Sequence, residues 1–101
     1  KKDAIEERLL RFSAPNLYEK MIEIFSRYNI HSYDVYSTVI KDEKGYELVL
    51  RFSDTFSHFI TKKISFEQAE HPDEEMIEFF KDTAEKCKSQ LISDYYKMIK
   101  P

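Results

Sequence analysis

Glycine is almost missing from this chain: Gly45 is the only one among 101 residues. Phosphate-cradling loops, dinucleotide fingerprints and the nucleophile elbow of hydrolases all need glycine where backbone takes positive φ or closely approaches a ligand. All three are excluded. Cysteine is equally scarce, since Cys87 stands alone. An internal disulfide is therefore impossible, and nothing depends on an oxidising compartment. Tryptophan is absent, and Tyr (7) and Phe (8) carry the aromatic content. No apolar run approaches the roughly 18 residues of a membrane helix, so no span is expected. The opening KKDAIEERLL lacks the apolar stretch of a signal peptide. It also lacks an initiating Met, which leaves room for a trimmed or fragmentary N-terminus. The expected location is cytoplasmic.

The residues present read as one domain. At 42% hydrophobic, 35% charged and 15% aromatic, residues 1–101 have the profile of a single globular α+β unit. A chain this long buries roughly two thirds of its unfolded surface, enough for one core. The net charge is −3. Nucleic-acid surfaces neutralise phosphate with clustered Lys and Arg, so the charge balance argues against that class of partner.

Taken in order, Ile5, Leu9 and Phe12 have helical spacing and predict a short helix over 3–12. Pro15 ends or bends it at Ala14. Asn16 and Glu19 have the spacing of a capping box, opening a second helix over about 15–28. Its stripe is Leu17, Met21, Ile24, Phe25 and Tyr28, and Asn29 is expected to terminate it. The stretch His31–Asp54 then predicts a hairpin, closed by Asp42-Glu43-Lys44-Gly45 as a type I turn with Gly45 left-handed. Pairing Lys41 with Tyr46 puts Tyr33, Val35, Val39, Leu48, Leu50 and Phe52 on one face, the expected core face. Tyr36, Thr38, Ile40, Glu47, Val49 and Arg51 occupy the other. A turn at Asp54-Thr55 leads to a third strand over 56–66, whose alternation slips around Phe59-Ile60. Residues 67–72 read as a polar loop, and a long helix over 73–99 carries Ile77, Phe80, Ala84, Cys87, Leu91 and Met98. The predicted fold is (α)α-β-β-β-α: a three-stranded antiparallel meander with an N-terminal helical segment and a long C-terminal helix.

Candidate chemistry is sparse. Glu70, His71 and Asp73 sit in an acidic run from Glu67 to Glu78 that has metal-ligand residue types, although acids at a helix start equally complement its dipole. His31, His58 and His71 are scattered without ligand spacing. Cys87 falls on an apolar stripe, where a thiol behaves as a small hydrophobe. Lys62 and Lys63, with Phe59, Phe66 and Arg51, form the best basic and aromatic patch for single-stranded nucleic acid, but adjacent strand residues point to opposite faces. Tyr36, Ile40, Val49 and Arg51, with Phe59 or His58 beside them, group aromatic and apolar residues with charge as interface centres do. Tyr95 and Tyr96 cannot both point inward. The alternative is that residues 3–12 cover the outer sheet face.

The element order over residues 15–99 resembles that of double-stranded-RNA-binding domains. Such domains carry lysines at the start of the final helix, where this chain has Pro72-Asp73-Glu74-Glu75. The resemblance therefore brings no binding residues. The reading that best fits is a non-enzymatic interaction or regulatory domain, without cofactor or metal, that contacts another protein or itself as a homodimer. Its expected surface is Tyr36, Ile40, Val49 and Arg51. The alternatives are nucleic-acid binding through Lys62 and Lys63, and an enzyme or metal site near Glu70, His71 and Asp73.

Overall fold

Asp42 closes the hairpin. In a computed structural model of the chain, which describes residues 6–52 and 58–99 and only the backbone of 94–99, its carboxylate accepts from the N–H groups of Lys44 and Gly45, both at 2.8 Å. Its own N–H donates to the Gly45 carbonyl. This sets β2 (Val35–Lys41) against β3 (Gly45–Phe52) in the expected register, from Lys41 opposite Tyr46 to Val35 opposite Phe52. Gly45, however, is not left-handed, because no glycine has positive φ. A Cβ on it would lie 2.0 Å from the Ile64 carbonyl oxygen of the next strand. The close approach of β4 (His58–Ser65), not the turn, demands glycine.

The sheet has four antiparallel strands rather than three, in the order β1-β2-β3-β4. The extra one is β1 (Glu7–Leu9), which pairs with Thr38–Ile40 of β2. It replaces part of the helix expected over 3–12. Helices this short are marginal by themselves, whereas a strand there satisfies the open edge of β2. The helical remainder is α1 (Leu10–Ser13), which sends Leu10 fully into the core and leaves Phe12 exposed. Ile5 lies outside the described residues.

Helix α2 (Pro15–Ser26) and helix α4 (Glu74–Ile99) pack together on one face of the sheet. Leu17, Met21, Ile24 and Phe25 meet Met76, Phe80, Ala84 and Cys87 over Val35, Val39, Leu48, Leu50 and Phe52, all buried. The Phe25 and Phe80 rings meet edge-on at 6.2 Å. Each such aliphatic or aromatic side chain contributes roughly 1.5–3 kcal/mol on burial. Thr83 joins the buried stripe of α4, and Ile77 and Leu91 are half-buried.

Several local expectations change. Tyr33 is not on the core face: it lies in a 3-10 turn (Ser32–Asp34), is 76% exposed and stacks on His31. The capping box at Asn16 is absent. Pro15 instead opens α2, and the Asn16 side chain donates to the Glu70 carbonyl at 3.1 Å. Asn29, with φ 62°, does turn the chain after α2, and the Ile30 N–H reaches back to Phe25. Residues 66–70 form a short helix, α3 (Phe66–Glu70), capped reciprocally by Ser65 and Gln68 at 3.0 Å each way. The slip expected near Phe59-Ile60 does not occur. The register runs unbroken from Phe52 opposite His58 to Gly45 opposite Ser65. The turn at Asp54-Thr55, Phe56, and the side chains of Tyr95, Tyr96 and Met98 lie outside the described residues.

Candidate functional site

The outer sheet face is a regular array, because paired residues in neighbouring strands share a face. Across one end run Tyr36, Arg51 and Phe59, one from each of β2, β3 and β4. The next row is Leu9, Thr38, Val49 and Thr61, and the next is Glu7, Ile40, Glu47 and Lys63. The four residues expected as an interaction surface, Tyr36, Ile40, Val49 and Arg51, are thus brought together on this face. Phe59 joins them. His58 does not: it points to the opposite face, stacked on Phe52.

One clasp ties the array together. Glu7 reaches from β1 across β2, where the Thr38 hydroxyl donates to its carboxylate, to Arg51 on β3. Arg51 Nη1 lies 2.7 Å from that same carboxylate oxygen. The Arg51 hydrogen bond, followed by that from Thr38, holds the Glu7 carboxyl below its ordinary value. Thr38 is fully buried, and Glu7 satisfies its hydroxyl. Sequence reasoning missed Glu7 because it sat in a predicted helix.

The apolar content of this face is of two kinds. Val49 is only 4% exposed, so it is buried and does not offer the contact surface expected of it, although it lies outside the cluster packed under the helices. Tyr36 and Phe59, by contrast, stand 45% and 63% exposed on either side of Arg51. Among the described residues, no helix lies over them. The helices gather on the opposite face, and residues 6–9 extend the sheet edge instead of covering it.

The other candidates resolve into structural roles. Asp73 caps α4: its carboxylate accepts from the Met76 N–H at 3.0 Å, which lowers its pKa. It also accepts from Gln68, and Glu70 and His71 are exposed at the end of α3. Among the described residues, no group of His, Cys, Asp or Glu is arranged to hold a metal ion. Lys62 and Lys63 fall on opposite faces. Lys62 lies toward α4, bonded to Glu75 at 2.8 Å and seated over the Phe79 ring, while Lys63 pairs with Asp42 at 3.5 Å. Cys87 is buried, which pushes its thiol up to about 11, with the Asp34 charge adding to the shift. A thiol in that state is a poor nucleophile. The Tyr46 and Phe66 rings line a cleft of about 410 Å³ between the start of α2 and α3, which the sequence had not revealed.

No helix of the described residues is long and apolar enough to cross a membrane. Comparisons with protein-family models, curated proteins and solved structures found no match.

Proposed function

We propose that this chain is a non-catalytic, cytoplasmic binding domain whose outer sheet face docks another protein. The observation that carries this reading is the row Tyr36-Arg51-Phe59. Two exposed aromatic rings flank an arginine that Glu7 holds in place, on a face that no described helix covers. Tyr and Arg are the residue types that anchor interfaces, and an ordered side chain loses less entropy on binding. Glu7, Glu47 and Lys63 supply a charged border. The buried single thiol suits a reducing compartment.

The test is affinity capture from cells, identification of the captured protein, and calorimetry between the two purified components. Tyr36→Ala with Arg51→Glu should weaken binding at least about 10-fold, the scale of a 1.4 kcal/mol loss. A partner that binds the doubly substituted chain as tightly as the native one overturns the proposal. So does retention on single-stranded RNA that falls with salt and disappears on Lys63→Ala, which would mark a nucleic-acid surface instead.

A further inference from the structure

Among the described residues no strand pairs with the outer edge of β4, which offers a second contact, separate from the outer-face reading. The Asp42–Gly45 bond fixes the phase of hydrogen bonding through the sheet. Antiparallel pairs alternate between bonded and non-bonded positions. Carrying that alternation across the sheet, Tyr46, Leu48, Leu50 and Phe52 bond to Ile64, Lys62, Ile60 and His58. The N–H and C=O groups of Phe59, Thr61, Lys63 and Ser65 therefore point away from β3. The Ser65 N–H confirms the phase, since Gln68 Oε1 accepts it at 3.0 Å on that outward side.

Edge strands that must stay single are blunted by proline, bulges or free charge. Here the register is unbroken, the strand has no proline, and Lys62 is drawn inward to Glu75, while Lys63 keeps its charge at this edge, 75% exposed and 3.5 Å from Asp42. We infer that β4 pairs antiparallel with β4 of a second copy about a two-fold axis at Thr61, joining two sheets into one. This register matches every outward position within residues 59–63. It sets Phe59 opposite Lys63 of the second copy, an aromatic ring against a cation, and Thr61 opposite Thr61. Sliding by two residues one way opposes Lys62 to Lys62. Sliding the other way sets Phe59 opposite Thr61 and takes Lys63 away from the ring. Complementarity within the strand itself thus selects a second copy of this chain in preference to an arbitrary extended peptide.

Light scattering on the eluting 101-residue chain, over a concentration series, should find twice the 12.2 kDa chain mass. Thr61→Pro removes only an outward N–H, which an edge strand tolerates, and should halve the mass with an unchanged circular dichroism spectrum. Thr61→Cys should form a covalent dimer on oxidation. Cα atoms of a bonded pair lie about 5.5 Å apart, within disulfide reach, and the buried Cys87 does not compete. Tyr36→Ala with Arg51→Glu should leave the doubled mass intact, so this inference and the outer-face reading fail separately. A mass of 12.2 kDa throughout with no crosslink overturns the pairing. So does a dimer that persists in Thr61→Pro. If that variant does not fold, the Thr61→Cys crosslink decides.

Discussion

The two faces of one hairpin use similar residues to different ends. Val35, Val39, Leu48, Leu50 and Phe52 look inward and are sealed by α2 and α4. Tyr36, Ile40 and Arg51 alternate with them along the same strands and look outward, where no described helix meets them, while Val49 on that face is buried. Strand alternation created both faces, but the second layer decided which became core. An apolar residue in a strand records where burial is possible, and only a packing partner makes that burial stabilise the fold.

The comparison breaks most directly at its inner side. Leu50→Ala should cost about 2–5 kcal/mol in urea unfolding, because the site is fully buried among side chains that relax only partly. A loss below about 1 kcal/mol would show that the inner face is not the core. Gly45→Ala comes next, at about 1–3 kcal/mol, the range for forcing atoms into packed space. Its Cβ would strike the Ile64 carbonyl oxygen at 2.0 Å, so β3 and β4 must separate. Equal stability of Gly45→Ala and the native chain would refute that role.

The clasp on the outer face is worth less. Glu7 and Arg51 are about one third exposed, at 34% and 32%, so solvent screening limits the pair and Glu7→Gln should cost at most about 1 kcal/mol at neutral pH. Its pH dependence has a definite sign. A carboxyl held below its ordinary 4.5 adds stability above that pH and loses it as pH falls through the lowered value. The gap between native and Glu7→Gln chains should therefore close as pH drops below 4.5, and a gap that widens there would contradict the clasp. Smaller again is Lys62→Met, which removes the bond to Glu75 together with the ammonium over the Phe79 ring. Its unfolding midpoint should move by less than the equivalent of about 1 kcal/mol, the scale of an exposed ion pair.

The hairpin was legible in the sequence because Asp42-Glu43-Lys44-Gly45 fixed its register and period-2 alternation fixed its faces. The long helix was legible because Phe80, Ala84 and Cys87 kept helical spacing. Residues 7–9 were not, since three residues are too few to show a period, and Ile5, Leu9 and Phe12 mimicked a helix. The regular course of β4 was hidden by Phe59 and Ile60, adjacent apolar residues that fall on opposite faces, and by Lys62, an inner-face charge met by Glu75 and the Phe79 ring. Gly45 was recognised as special for the wrong reason: its need comes from the neighbouring strand, which local sequence does not encode. Tyr36, Ile40, Val49 and Arg51 could be grouped from alternation alone. That Glu7 crosses the sheet to hold Arg51 depends on a strand found only in the fold.

The account rests on Tyr36 and Phe59 being presented for contact and not required for folding. The most direct measurement is urea unfolding of dilute protein carrying both Tyr36→Ala and Phe59→Ala. Exposed side chains outside the core predict a change below about 1 kcal/mol. A loss above about 3 kcal/mol, the scale of truncating a core aromatic, would mean that the outer face is covered within the folded chain, and the proposal of a binding surface there would fall.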